Sequence, residues 1–246
     1  MSVLLNYTAK NMYGRYSFAK DLSELATLLA FMSRAPFFVP RYNIAPRQQA
    51  PVIVLENYQP ALRLMLWGLI PSWAKEESLC HKLIKARAET IFEKPSFRKP
   101  IERQRCLIPA DGFYEWQRQQ RELTPFRFTV RDNSIFCFAG THDKWIHPPR
   151  SGEFEFDDLD EPPPKQVIET FSISTTSANK MAAAVHERMP VIVSPNHYLW
   201  WIDERRDGEA VRFMLRPYPA EDMECCRVSR LVNEAKNDSP DCLKPG

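Results

Sequence analysis

A chain of 246 residues, 44% apolar and 26% charged, is long enough to bury a core without disulfide or metal staples, which excludes disorder along its whole length. No run approaches the ~18 apolar residues of a membrane-spanning helix, and residues 1–11 lack a basic stretch leading into an apolar one, so neither a membrane span nor secretion is expected. The net charge of +2 hides a segregation: 151–165 is net −5, with Glu153, Glu155, Asp157, Asp158, Asp160 and Glu161 against Lys165, and the remainder is net +7.

In chain order, leucines at 22, 25, 28 and 29 behind Asp21 predict a helix over 21–32. Strands are predicted over 51–56, 62–67 and 106–109. Between them, 82–105 carries eight bases against Glu89, Glu93 and Glu102, either a solvated face or a surface that attracts phosphates. Strands follow over 125–131, where Phe126, Phe128 and Val130 alternate with Arg127, Thr129 and Arg131, and over 135–139. The acidic, proline-rich stretch 148–166 reads as a surface insertion, and the strand predicted over 168–174 can pair with 135–139 as a hairpin across it. A short helix is expected at 178–185, a strand at 191–193, a helix at 197–202 behind Ser194-Pro195, and a strand at 211–215. The sum is an α+β fold, a single domain over 12–233 with a mostly antiparallel, barrel-like sheet core, a few short helices and a basic groove. An extension (1–11) and a tail (234–246) flank it.

Only seven glycines occur, and no G-x-x-x-x-G-K-[ST] or G-x-G-x-x-G run, which argues against a phosphate-cradling loop. The six cysteines form no C-x-x-C pair, so no metal and no cofactor are expected, and scattered thiols fit a reduced cytoplasm. Five segments combine polar groups with aromatics beyond what a plain core needs. They are Met12-Tyr13-Gly14-Arg15-Tyr16; Arg41-Tyr42-Asn43-Ile44-Ala45-Pro46; Trp67-Gly68-Leu69-Ile70-Pro71-Ser72-Trp73 with Lys85-Ala86-Arg87-Ala88-Glu89-Thr90; Pro109-Ala110-Asp111-Gly112-Phe113-Tyr114-Glu115-Trp116; and Thr175-Thr176 with His186-Glu187-Arg188-Met189-Pro190. Val228-Ser229-Arg230-Leu231-Val232-Asn233 is a further candidate for the fifth group. Trp67 and Trp73 either plug the core or stack on a nucleobase. Glu115, flanked by aromatics, suits a general acid or base, or a buried acid paired with an arginine. His186 titrates near neutral pH or is structural. Arg15, Arg87 and Arg188 grip phosphate or balance acids.

Taken in this order, the segments resemble the SRAP family, the SOS-response-associated peptidases or abasic-site processing proteins, over about 12–233. The resemblance implies a protein that handles single-stranded DNA carrying an abasic site; the oligomeric state is not legible in the sequence, with a monomer favoured, and the location expected is the cytoplasm. It also implies that the second residue of the family, a cysteine, forms a thiazolidine with the sugar aldehyde after the initiator is removed, the step to which the peptidase label is tied. By the same resemblance Glu115 and His186 act as acid/base groups, Arg15, Arg87 and Arg188 hold phosphates, Trp73 wedges against bases, and Asn43 and Thr175 belong to the DNA-binding surface.

Two positions at the reacting centre depart from that pattern. Tyr13 stands at the cysteine position, so no thiazolidine can form there, and Lys85 stands at the asparagine position. If translation begins at Met12, the bulky Tyr13 is expected to leave that methionine in place. Three readings follow: a non-crosslinking binder of single-stranded DNA, an enzyme in which Lys85 attacks the aldehyde as an amine with a pKa lowered by neighbouring cations, or a divergent peptide- or protein-binding relic.

Overall fold

The computed structural model describes residues 14–21, 23, 25, 38–120, 122–146 and 166–246. Tyr13, the 1–11 extension, nearly all of the acidic 148–166 stretch and most of the helix expected at 21–32 lie outside these. Within that span Ser23 and Leu25 are helical, and Leu25 is buried.

From the N-terminus, β1 (Arg15–Phe18) and β2 (Arg41–Ile44) pair antiparallel and lead into the hairpin of β3 (Gln49–Glu56) and β4 (Gln59–Trp67). Asn57 and Tyr58 both take positive φ (49° and 62°) in its two-residue turn, whose twist matches that of the strands it joins. The short β5 (Lys85–Arg87) precedes helix α1 (Pro95–Arg103), which starts on Pro95 and buries Phe97, Pro100 and Ile101 along one face. Then come β6 (Arg105–Ala110), β7 (Gly112–Gln119), β8 (Glu122–Val130) and β9 (Phe136–Ile146). Beyond the 147–165 stretch, β10 (Val167–Ser177) pairs back on β9 from Val167 opposite Ile146 to Ile173 opposite Gly140, the hairpin expected across the acidic segment. Next are β11 (Arg188–Pro190), β12 (Ile192–Val193), helix α2 (Tyr198–Ile202), helix α3 (Gly208–Met214) and β13 (Met223–Arg227).

Strands β3, β4, β6, β9 and β10 close into a five-stranded barrel, because β10 pairs with both β9 and β4. A second sheet runs β13–β8–β7–β1–β2, antiparallel throughout. This is the expected mixture of α and β around a barrel-like core. Aromatic rings join the two sheets: Tyr16 meets Trp67 edge-on at 5.3 Å between centroids and Phe138 at 5.6 Å, and Phe113 meets Phe138 edge-on at 6.1 Å. Each such pair adds roughly 1 kcal/mol beyond the area it buries.

The strand expected at 211–215 is a correction. Asp207 caps this segment, its Oδ1 accepting the Ala210 N–H at 2.9 Å, and the alternating Val-Arg-Phe-Met winds into α3. At 178–185 only Ala182–Ala184 form a helical turn, of the 3₁₀ type. The 234–246 stretch packs against the second sheet through Asp238, which accepts the Tyr42 and Asn43 N–H groups at 2.6 and 2.9 Å and pairs with Arg41. Among the described residues no helix is long and apolar enough to cross a membrane.

Candidate functional site

The C-terminal end of β10 is flanked on both sides. β5 runs parallel to it, with Lys85 opposite Ile173 and Arg87 opposite Thr175, and β11 runs antiparallel, with Arg188 opposite Ser177. The second sheet faces this corner through β7. Along β7 the side chains alternate: Phe113 joins the barrel-side core, whereas Tyr114 and Trp116 pack on Val228, Val232 and Cys242. Glu115 shares the face of Phe113 and meets Lys85, its Oε1 3.8 Å from Nζ.

Glu115 is 3% exposed, and its second oxygen, Oε2, is buried with no hydrogen-bond partner. A buried acceptor left open costs about 1–3 kcal/mol, a cost expected where a ligand supplies the missing bond. The Lys85 side chain keeps 24% of its surface in solvent. Around the pair stand Gly14, Trp67, Phe113, Phe138, Ile173 and Pro190. Gly14 holds φ +97°, and a Cβ there would lie 3.1 Å from Lys85 Cε and 3.3 Å from the Trp67 ring. Only glycine lets the chain pass this closely over the lysine stem. The nearest charged partner of Lys85 is thus a carboxylate, a correction to the cluster of cations expected to activate it.

The two tryptophans divide between the roles left open for them. Trp67 is 1% exposed and donates through Nε1 to the Ile84 carbonyl at 2.9 Å, so it plugs the core. Trp73 is 59% exposed on the loop after β4. Gly68 makes that loop possible: at φ +132° its Cβ would lie 2.5 Å from the Cys80 carbonyl oxygen.

Arg188 and Thr175 form a second group. Arg188 donates in a fork to Glu89 at 2.9 and 3.0 Å and to the Thr175 carbonyl at 2.7 Å, while its Nε is buried without a partner. The fork holds the Glu89 carboxyl below the usual carboxylate range. Thr175 is buried, its hydroxyl 3.4 Å from the Ala86 carbonyl. His186 is half-buried in the loop before β11, its Nδ1 3.1 Å from both the N–H and the carbonyl oxygen of Arg188. Arg87 is exposed.

Two other predicted DNA contacts, Arg15 beside the pocket and Asn43, spend their side-chain hydrogen bonds on the C-terminal segment and each other. Arg15 is 8% exposed and donates to Asn43 Oδ1 at 3.0 Å and to the Val232 carbonyl at 2.9 Å. Asn43 is fully buried and donates to the Glu234 and Asn237 carbonyls at 3.0 and 2.8 Å. Both bind the C-terminal segment to β1 and β2. The late Val228–Asn233 run joins them there, with Asn233 Oδ1 accepting the Trp116 indole N–H at 2.8 Å. The basic run also divides. Arg105 is buried and holds the carbonyls of Ile101, Glu102, Trp201 and Asp203, and burial lowers its pKa to about 10. Lys82, Arg87, Lys94, Arg98, Lys99 and Arg103 are exposed. The sequence reading missed Glu89 as the partner of Arg188 and Asp238 as the anchor of β2; the first sits inside a quoted motif, the second is a lone acid without a local signal. Among the described residues no group of three or more metal-ligating side chains converges.

A closed barrel whose rim carries a buried carboxylate against a lysine defines a class: an α+β protein with a small, largely apolar-walled pocket between two sheets. The chain belongs to the SRAP family, the SOS response associated peptidases, whose pattern matches residues 12–235. It is 37% identical to abasic site processing protein YoqW of Bacillus subtilis over 238 residues, 95% of this chain and 99% of that protein. Abasic site processing protein HMCES of Pongo abelii is 30% identical over 85% of this chain and 66% of its own length. A solved structure of a protein from Bacteroides thetaiotaomicron superposes with a TM-score of 0.80 at 26% identity, covering 94% of this chain and 99% of that one.

Proposed function

We propose that this chain binds single-stranded DNA at abasic sites, with the baseless sugar seated against Lys85 and Glu115. The observation that carries this reading is the open Oε2 of Glu115, a buried acceptor beside a partly exposed lysine in a pocket walled by rings. A sugar hydroxyl or hydrated aldehyde supplies the donor that the carboxylate lacks. Trp73, exposed on a loop braced by Pro71, stacks on a neighbouring base. Exposed bases from Lys82 to Arg103 draw the backbone electrostatically. The relatives named for abasic site processing point to the same substrate. Tyr13 offers no thiol, and of the six cysteines four are buried while Cys225 and Cys226 lie on β13, at the far edge of the second sheet, so a thiol-based crosslink is not part of this function.

The test is fluorescence anisotropy with a labelled single strand carrying one tetrahydrofuran residue, the stable analogue of an abasic sugar. Tighter binding than to the intact strand, with affinity falling linearly on a log–log salt plot, is expected. Equal affinity for both strands, or none for either, would overturn the reading.

A further inference from the structure

Lys85 and Glu115 do more than hold a sugar: we infer that Lys85 is the nucleophile of an amine-based cleavage at abasic sites, with Glu115 moving the protons. The inference rests on the abasic-site reading above and assigns that site its chemistry.

Three features meet at one place. The Lys85 side chain keeps 24% of its surface in solvent, while its Cε lies close against the backbone at Gly14, where an added Cβ would approach it to 3.1 Å. A carboxylate oxygen stands 3.8 Å from the amine, close enough to take its proton as a substrate enters. The other carboxylate oxygen is unpartnered and buried, so it is open to a second proton at a different atom.

An abasic sugar opens to an aldehyde at C1′. Glu115 takes one proton from the Lys85 ammonium. The nitrogen lone pair then bonds to C1′ while the carbonyl π pair moves to oxygen, which receives the second nitrogen proton. The protonated Glu115 returns its proton to that hydroxyl, water leaves, and the C=N bond forms. The iminium acidifies C2′. Glu115 removes a C2′ proton, the C2′–H pair becomes the C2′=C3′ bond, and the C3′–O3′ bond breaks with its electrons on the departing 3′ phosphate. Water adds across C=N and releases the unsaturated aldehyde and the Lys85 amine. No oxidant or metal enters the balance.

The experiment incubates the full chain with a single strand bearing one true abasic site, with and without borohydride, alongside the tetrahydrofuran strand. Three results are expected: strand cleavage without borohydride, a reduced adduct with it, and that adduct on the peptide containing Lys85. Lys85→Ala and Lys85→Arg lose both products while keeping the wild-type melting transition; Arg keeps the charge but not the condensing amine. Glu115→Gln slows cleavage by roughly a hundredfold. An adduct on any other amine overturns the assignment, as does an adduct that survives denaturation without borohydride. Tight binding of the tetrahydrofuran strand with no adduct on the true site overturns the lysine chemistry alone. Failure to bind that strand overturns the functional reading beneath it.

Discussion

Two regions of this molecule are built from the same kinds of residue and finished differently. At the C-terminal clamp, Arg15, Arg41, Asn43 and Asp238 each spend their hydrogen bonds on the protein. At the end of β10, Glu115 and Arg188 each keep a buried polar atom without a partner, and Trp73 keeps its ring in water. Saturated polar groups fix a fold, whereas unsaturated ones in a fixed frame wait for a ligand. The difference teaches that an arginine or asparagine in a motif declares its role by its remaining bonding capacity, not by its type.

The comparison breaks first if the clamp is not structural. Asn43→Ala removes the donor to the Val232, Glu234 and Asn237 carbonyls and the acceptor of Arg15. A loss of about 3 kcal/mol in urea unfolding is expected, with DNA affinity per folded molecule unchanged. Intact stability with lost DNA binding would move Asn43 to the other region.

A second test uses pH and a residue that belongs to neither region. Burial lowers the His142 pKa to about 4, and its Nδ1 has no partner. The unfolded chain binds this proton near pH 6.5 and the folded chain only near 4, so stability rises with pH across that window. Acidification from 7 to 4 therefore costs up to about 3 kcal/mol through this one site. His142→Gln should flatten the melting temperature against pH between 4 and 6.5. A slope unchanged by the substitution would place the sensitivity elsewhere.

Much of the barrel was legible because its strands carry their own signals: alternation at 125–131, apolar runs at 135–139 and 168–174, and a proline-rich interval between them. Helix α1 was not, because Pro95 and Pro100 read locally as turn residues, and the burial of Phe97 and Ile101 that pays for the helix is a tertiary fact. The 211–215 segment misled for a related reason: its alternation reads as a strand, and the Asp207 cap four residues upstream decided it. At the site, the motifs named Lys85, Glu115, Arg188 and Trp73, but not which residues meet. The pairing of Lys85 with Glu115 depends on β5 adding to β10 and β7 facing it from another sheet, which no spacing in the chain records.

Within the open region, Trp73 and Arg188 separate two kinds of contact. Trp73→Ala removes a ring that is mostly exposed, so stability should hold while affinity for single-stranded DNA falls by about 1–3 kcal/mol. Loss of stability instead would make the ring a packing element. The smallest expected effect is at Glu89. Its carboxylate is half-exposed, so its pair with Arg188 is worth about 0.2–1 kcal/mol, present above the ordinary glutamate pKa and lost as pH falls through the lowered one. Glu89→Gln removes the negative charge that now occupies the guanidinium fork. DNA affinity should therefore rise about threefold at low salt, an increment that vanishes as salt screens the phosphate contact. A fall in affinity would mean that Glu89 holds Arg188 in place for the strand, and the pair would then belong with the clamp rather than with the open site.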